Sequence, residues 1–357
     1  MILYWYIFRK CLFNTIVVLF AFTMLFGIFT LLGELGNLGH GDFTISALLV
    51  YVFALVPNFA YLLMPLSVLI GVMIAMLGLV TYSEYAIIRT SGMSLRKITI
   101  ILSTFGIFFT IITFSLGEIV SPYFDHFAKS YKMIKLKQVV STNLQSGIWS
   151  RDNNNTFVNI KQVMPDDTIL GVNIYYYNEV LELVKYINAN EGDFDKKNKS
   201  WTLKDVTMQE YDKELVKTTT LPRLNWDTSI DPSYFSVLVV SPEEMSIFAL
   251  LKYIDHLSQN NQSIRRYEIA FWSKLLYPFT CLSMAMLAIA FIPNNRRNVN
   301  LGGKLFVGIL IGVAFFFATK LINYMAVLFA WNPVLSSVIP LALLFVVGWS
   351  FIIRHDG

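Results

Sequence analysis

The sequence predicts an α-helical polytopic membrane protein of six transmembrane helices, with a β-strand domain inserted between the third and the fourth. Of the 357 residues, 55% are hydrophobic and 15% are charged, whereas soluble domains carry about a quarter charged residues. The hydrophobic residues fall in six runs, each close to the roughly 20 residues that a helix needs to cross a bilayer. One polar stretch with a strand-like pattern separates the third run from the fourth.

The predicted spans divide equally around the polar stretch. The first run is too long for the core of a signal peptide and ends without a small-x-small cleavage site, so we interpret it as a retained span. The chain then divides into residues 1–124, 125–266 and 267–357. The predicted spans are Leu12–Leu32, Pro57–Val80, Ile98–Val120, Phe271–Ile292, Leu305–Phe329 and Val334–Ile353.

The lysines and arginines of the short loops predict the orientation. The second apolar region begins at Ile45 and contains Pro57 and Pro65, so it could cross the membrane once or twice. A single crossing puts every short-loop cation on one side, as the positive-inside rule requires, whereas two crossings scatter them. We therefore predict that both termini are cytoplasmic, that the insert lies in the periplasm of a Gram-negative cell, and that Ile45–Val56 is a lead-in or interfacial helix. The cations are Arg9, Lys10, Arg89, Arg96, Lys97, Arg296, Arg297, Lys304 and Arg354.

The insert, about Asp125 to Arg266, has the pattern of a small β domain. Apolar residues alternate with polar ones around Val158, Val172 and Trp201, and polar turns separate these runs. At its end, Ser241-Pro242-Glu243-Glu244 forms a capping box before an apolar helical pattern. This pattern predicts a linker helix that leads into the fourth span.

Motifs of catalytic chemistry are missing from the sequence. It contains no phosphate-binding loop of the G-x-x-x-x-G-K-[ST] type, no G-x-S-x-G elbow and no H-E-x-x-H helix. The four histidines are scattered, and Cys11 and Cys281 lie in apolar segments. No basic cluster is interleaved with aromatic residues as in nucleic-acid binding. We predict no catalytic residue, no metal site and no cofactor bound by this chain.

The loop between the second and third spans predicts a helix of about two turns, because Ser83 can cap its start and Gly92 can end it. Its two isoleucines would bury against an apolar surface while its acid and its arginine stay solvated. The segment could be a simple connector with a charged face. Its capped ends and mixed surface favour a docking element for a cytosolic partner, and its predicted docking residues are Glu84, Tyr85, Ile87, Ile88, Arg89 and Gly92.

The pattern S-E-x-x-x-x-R-x-x-G at Ser83 to Gly92, followed by a basic residue, resembles the coupling helix of the LptF/LptG permease family. Gly33–Phe43 is similar to the first external loop of the LptG branch, and the resemblance covers essentially the whole chain. The chain departs from some LptG proteins, which carry a lysine in the outer part of span one where this chain has Thr30 and Glu34. Further similar motifs are Gly147–Asp152, Trp201–Val206, Trp272-Ser273-Lys274, Pro278 and Phe291-Ile292.

The resemblance implies a permease subunit of the ABC transporter that exports lipopolysaccharide, of LptG type, with the paralogous LptF type as the alternative. Such a subunit pairs with LptF, docks two copies of the ATPase LptB, and joins LptC on the periplasmic side. ATP and magnesium are bound by LptB, so the chain is not itself an enzyme. The insert would be a β-jellyroll-like domain that stacks into a bridge for the lipid. Spans one, two and five of this chain and of LptF would enclose the lipid chamber.

Charged residues in the apolar helices are the candidates for contact with lipopolysaccharide. Lys320 lies about 24 Å along span five from Lys304, in the part that crosses the outer leaflet. A cation there needs a partner or a wet cavity. Lys320 could therefore meet the phosphates or acidic sugars of lipopolysaccharide, or it could snorkel or pair with an acid such as Glu34. Lys304 is an ordinary positive-inside anchor that the resemblance adds to the lipid-binding candidates.

Gly308-x-x-x-Gly312 on span five predicts close helix packing, and we assign it to the partner subunit. Simple tolerance of glycine in membrane helices is the alternative. Two other classes of protein are alternatives. A membrane-bound envelope glycosyltransferase or acyltransferase would need an acidic metal pair or a His-Asp dyad, and a sensor or assembly scaffold would need a cytoplasmic signalling module. The sequence contains none of these features.

Overall fold

The computed structural model describes residues 2–136, 148–152, 155–163, 168–195, 200–212, 215–228, 242–259, 263–291 and 301–356. Within these residues, helices precede and follow one antiparallel sheet. The helices are α1 Ile2–Glu34, α2 Ile45–Thr81, α3 Glu84–Thr90, α4 Leu95–Ser115, α5 Ser121–Leu136, α6 Ile247–Gln259, α7 Arg265–Leu276, α8 Phe279–Leu287, α9 Leu301–Leu328 and α10 Pro333–Asp356. The strands are β1 Ile148–Arg151, β2 Thr156–Val163, β3 Ile169–Tyr177, β4 Leu183–Asp195, β5 Ser200–Asp212 and β6 Leu215–Trp226.

The described residues contain four helical segments that are long and apolar enough to cross a membrane, or five if the bent pair α7–α8 is one span. The predicted sixth span lies in α10, whose described apolar part, Pro333–Gly348, is shorter. A helical membrane protein is thus confirmed, with four or five spans by length and composition where the sequence predicts six. The four segments are Ile2–Asn37, Ile45–Thr81, Leu95–Leu136 and Gly302–Leu328.

Two predicted boundaries differ from the structure. The predicted lead-in helix Ile45–Val56 is the first part of α2, which continues through Pro57 and Pro65 as one helix. Each proline removes one backbone hydrogen bond, yet α2 continues as one helix. The helix α5 continues to Leu136, so residues 125–136, which the sequence analysis placed in the β domain, extend the third apolar segment.

The helix α2 is the centre of the helical bundle. In its most apolar stretch 83% of the residues are buried, against 11% in the corresponding stretches of α1 and α9. Small residues let neighbouring helices approach closely: a Cβ added at Gly71 would lie 2.6 Å from the backbone nitrogen of Thr15 in α1. A Cβ added at Gly106 of α4 would lie 2.8 Å from the Cα of Leu282 in α8. The outer helices α1 and α9 therefore leave most of their surface for lipid or another protein.

Irregular backbone interrupts two of the helices that pack on α2. A π-helical segment, Leu116–Val120, joins α4 to α5, and α7 meets α8 at a bend of 52°. The bend falls at Pro278, which cannot donate the backbone hydrogen bond that a continuous helix needs. Both irregularities lie beside the same part of α2, because Tyr61 contacts Gly117 and its ring centre lies 5.0 Å from that of Tyr277.

The six described strands form one antiparallel sheet in sequential order, β1 to β6. The sheet is therefore a meander of neighbouring strands, and the second sheet of a jellyroll is not found among the described residues. One face of the sheet carries the apolar core of the domain, which includes Trp201 with no exposed surface. Side chains of α6 and α7 cover this face, namely Leu250, Tyr253, Leu257 and Ala270.

Candidate functional site

The helix α3 lies where the sequence predicts a docking element. It ends at Thr90, and Gly92 follows with a φ of +88°, a left-handed conformation that glycine adopts without strain. The predicted cap at the other end is wrong. Ser83 has a φ of +69° and its side chain makes no capping hydrogen bond. The turn that leads from α2 into α3 is set by this left-handed residue instead.

The two isoleucines of α3 face in different directions. Ile88 is 3% exposed and belongs to the core of the helical bundle, and Tyr85 packs partly against the same core. Ile87 is 67% exposed. The sequence predicts that both isoleucines pack against an apolar surface. Within this chain, that is confirmed for Ile88 only. Ile87 is an apolar side chain directed away from the bundle and free to contact another protein.

The charged residues of α3 are less free than the sequence suggests. The Glu84 carboxylate lies 3.0 Å from the Lys10 ammonium and accepts a 2.6 Å hydrogen bond from the Tyr6 hydroxyl. These contacts bind the start of α1 to α3 and place them at the same end of the bundle. Arg89 is exposed, and its guanidinium donates a hydrogen bond of 3.4 Å to the Met93 carbonyl.

The contact between α1 and α3 is expected to depend on pH. The hydrogen bond from Tyr6, followed by that from Lys10, lowers the pKa of Glu84. Its stabilising effect is therefore present above the ordinary glutamate pKa and is lost as the pH falls through the lowered, folded-state pKa. In a Tyr6→Phe variant the folded-state pKa of Glu84 is less lowered, so this loss should be smaller and should be complete at a higher pH. The thermal unfolding midpoint of the detergent-purified protein, measured from neutral to acidic pH, reports this loss of stability. Glu84→Gln is the control, since it has no carboxylate to protonate at this position.

At the opposite end of α1, Glu34 has partners within the chain. Its carboxylate lies 2.6 Å from the Lys132 ammonium of α5 and accepts a hydrogen bond of 2.7 Å from the Asn37 amide. Lys132 also lies 5.2 Å from the centre of the Tyr51 ring. The suggested pairing of Glu34 with Lys320 is therefore wrong, because the carboxylate of Glu34 pairs with Lys132 instead.

The two lysines of α9 differ in their surroundings. Lys320 lies on the exposed side of the helix, with its ammonium 6.0 Å from the centre of the Phe316 ring. Lys304 is partly buried and donates a 2.8 Å hydrogen bond to the Phe291 carbonyl. Lys304 thus connects the start of α9 to the end of the helical segment that follows α8. Lys320 remains available to a ligand or to lipid headgroups.

The glycines of α9 pack inside the chain. A Cβ added at Gly308 would lie 2.5 Å from the sulfur of Met73 in α2, and one added at Gly312 would collide with Leu66 of the same helix. The close approach that the sequence analysis assigned to a partner subunit is therefore made with the chain's own central helix. The α9 surface left for a partner lies on its other sides.

A wholly apolar cavity of about 600 Å³ lies between α8, α9 and α10. Its lining offers no hydrogen-bonding or charged side chain, so it suits hydrocarbon rather than a polar ligand. It is lined by Leu287, Ala290, Phe291, Val307, Ile311, Ala314, Phe315, Ala318, Ile322, Pro340, Leu343, Leu344 and Val347.

A cluster of charged residues that the sequence analysis did not select joins the helical bundle to the sheet. We call Glu118, Asp125, Lys129, Glu244 and Lys274 the junction cluster. Lys129 lies 2.9 Å from Asp125 and also pairs with Glu244. The signal was present in the sequence, because an acid in the third apolar run and a lysine in the fourth are costly unless they have partners. Their partners could not be read from the sequence.

Comparison with known proteins identifies the family of the chain. The family model described as "Lipopolysaccharide export system permease LptF/LptG" matches residues 5–354. The chain is 26% identical over 350 residues to the lipopolysaccharide export system permease protein LptG of Escherichia coli strain K12, covering 97% of each chain. It is 26% identical over 318 residues to LptG of Haemophilus influenzae, covering 89% of this chain and 88% of that one. With a family model matched along nearly its whole length, this chain belongs to the LptF/LptG family of lipopolysaccharide export permeases.

Proposed function

We propose that this chain is the LptG-type subunit of the transporter, paired with LptF. It extracts lipopolysaccharide from the outer leaflet of the inner membrane and passes it to a periplasmic bridge of β domains. The observation that carries the proposal is the family match over residues 5–354. It is supported by the order of elements, in which helices precede and follow one inserted sheet. The curated relatives reported above carry the name LptG, which favours the LptG type over the LptF type.

The proposal includes six spans, with both termini in the cytoplasm and the sheet in the periplasm. The pairing of Lys10 with Glu84 supports it, because it puts the start of α1 and the loop after α2 at one end of the bundle. A single α2 helix then separates the two ends. The helix α10 serves as the sixth span, since its 24 residues make a helix of about 36 Å.

The lipid chamber is proposed to form between α1, α2 and α9 of this chain and the equivalent helices of LptF. Both α1 and α9 are largely unburied and carry many exposed large apolar side chains. They flank α2, with which each packs. An apolar wall of this kind suits the acyl chains of lipopolysaccharide. The polar candidates for its headgroup are Lys320, Lys304 and Glu34, of which Lys320 is the most exposed.

The energy source is proposed to be LptB, a dimeric ATPase that binds ATP and magnesium and docks on α3. The exposed Ile87 and the solvated Arg89 supply an apolar and a charged contact. LptC and the rest of the bridge are proposed to add to the sheet, because β1 and β6, the outermost of the described strands, can pair with strands of another protein.

Depletion of the chain in its native cell tests the proposed function. We expect lipopolysaccharide to disappear from the cell surface and to accumulate in the inner membrane, while outer-membrane proteins are still exported. Surface labelling of lipopolysaccharide and separation of the two membranes measure both effects. Unchanged surface lipopolysaccharide after complete depletion would refute the proposal.

Complementation of the depleted cells tests Lys320 within the same experiment. A Lys320→Arg variant keeps the cation and should restore surface lipopolysaccharide, whereas Lys320→Glu should restore it poorly. A hydrogen bond to a charged group contributes about 1.5–3 kcal/mol, so the affinity for the phosphates should fall about tenfold or more. Equal complementation by both variants would remove Lys320 from the lipid site.

A further inference from the structure

The junction cluster connects the third apolar segment to α6, the helix that packs against the sheet. Glu118 lies in the π-helical segment Leu116–Val120, and its carboxylate accepts hydrogen bonds from the backbone nitrogens of Ile247, at 2.8 Å, and Phe248, at 3.3 Å. These are the first two residues of α6. Glu118 thus satisfies two of the backbone donors that every helix start leaves without a partner. It does so from the third apolar segment, which is distant from α6 in the sequence.

The bent helix pair α7–α8 contacts the residues that precede α6 from the other side. Lys274 of α7 is 8% exposed, and its ammonium donates a hydrogen bond to the carbonyl of Met245, two residues before α6. Lys274, Glu118 and Ile247 surround the same small gap, which is too small to hold a water molecule. The residues that precede α6 are therefore fixed by one charged side chain from each of two apolar segments.

A second set of contacts binds α5 to the same connection. Lys129 pairs with Asp125 on its own helix and with Glu244. Asp125, which is 4% exposed, also accepts a 3.2 Å hydrogen bond from the Asn58 amide of α2. Every charge of the junction cluster is thus neutralised or hydrogen-bonded, as charges removed from water must be.

The sheet is attached to this connection through its core. Leu250, Tyr253 and Leu257 of α6 and Ala270 of α7 belong to the apolar core that covers the sheet. A shift of α6 or α7 therefore moves the sheet with it, since a close-packed core does not slide freely. The bend at Pro278 and the π-helical segment lie next to the cluster, because Tyr61, Gly117 and Pro278 surround the same small gap as Glu118 and Lys274.

We propose that Glu118 and Lys274 are positioning residues of lipid export, which make the β domain move together with the third and fourth spans. When the spans move during the ATP cycle, the backbone bends at the π-helical segment and at Pro278, which both lie beside Tyr61. The junction cluster transmits the movement to α6 and the sheet. The sheet then meets the lipid as the chamber closes. This inference rests on the proposed function and adds a mechanical connection to it.

The first test measures distances in the wild-type transporter, co-purified with its partner subunits in nanodiscs. Spin labels at His40 and Thr218, both exposed, report the β domain against the outer loop. Labels at Tyr123 and Phe248, also exposed, span the junction itself. Addition of ATP with vanadate should change the first distance and leave the second unchanged. A junction distance that changes as much as the first would overturn the proposal without any variant.

The second test uses Glu118→Gln and Lys274→Met in the same complex. Lipopolysaccharide captured by a photoreactive residue in the sheet, per ATP hydrolysed, should fall about tenfold, the change expected when a hydrogen bond to a buried charge is lost, as in Lys274→Met, or becomes a weaker neutral one, as in Glu118→Gln. The ATPase rate should stay close to that of the wild type. The matched control is Glu243→Gln, the same change at an exposed acid beside Glu244. Full capture by both variants would overturn the proposal.

The two proposals fail in different ways. A wild-type transporter that delivers no lipopolysaccharide to the sheet contradicts the proposed function. A wild type that delivers it, with equal delivery by Glu118→Gln and Lys274→Met, contradicts only the role of the junction cluster. Loss of assembly in either variant leaves the wild-type distances across the junction to decide.

Discussion

An Ile87→Asp variant is expected to bind the nucleotide-binding subunit about 30-fold more weakly than the wild type, since loss of a buried apolar contact costs about 2 kcal/mol. Ile87 is 67% exposed in this chain, so its replacement leaves the helical bundle intact. Binding of the purified ATPase to the permease in nanodiscs measures the effect. Ile87→Leu is the control and should retain binding, and unchanged affinity of Ile87→Asp would show that α3 does not dock the ATPase through this residue.

Charge reversal at Glu84 needs a more careful design, because Glu84 is bound to Lys10 and Tyr6. A Glu84→Lys variant loses this contact within the chain as well as any contact with the ATPase. The double variant Lys10→Glu with Glu84→Lys restores an ion pair inside the chain. If the double variant binds the ATPase normally, Glu84 acts by holding α3 in place. If binding stays weak, Glu84 contacts the partner directly.

A Gly71→Ala variant is expected to destabilise the bundle by about 1–3 kcal/mol, the usual cost of adding volume to a packed core. The added methyl group would lie 2.6 Å from the backbone nitrogen of Thr15, and backbone cannot move aside as a flexible side chain can. The helices α1 and α2 must therefore separate along their contact. A lower thermal unfolding midpoint in detergent and a lower amount of protein in the membrane measure this.

Gly78→Ala provides the matched control for this prediction. Gly78 lies two turns further along the same helix, and a Cβ added there meets nothing within 4 Å. Since alanine favours the helix over glycine, Gly78→Ala should keep or slightly raise the unfolding midpoint. Equal destabilisation by both substitutions would contradict the role of the contact with Thr15, because helix propensity favours alanine at both positions.

The sequence predicts the features that depend on local pattern. Apolar run length located the helices, alternation located strands such as those around Val158 and Trp201, and Gly92 ended α3 as predicted. The positive-inside argument favoured one crossing for the second apolar region, and α2 is a single helix. These properties follow from neighbouring residues, so a single sequence contains them.

Contacts between distant residues could not be predicted in the same way. Lys10 pairs with Glu84 and Lys132 with Glu34, and nothing in the spacing of these charges indicates which of them meet. The glycines of α9 predicted a close contact between helices, but only the structure shows that the contact is made with Met73 and Leu66 of the same chain. The choice of partner depends on how the helices pack, which a local pattern does not encode.

The order of the chain has a consequence for its biogenesis. The strands follow one another as neighbours, so each can pair as soon as the next is synthesised, a local process that is fast. The helices that cover the apolar face of the sheet, α6 and α7, are synthesised only after β6. Until they arrive, α6 and α7 do not cover the apolar face around Trp201, and such exposed apolar surface makes an unfinished domain prone to aggregation.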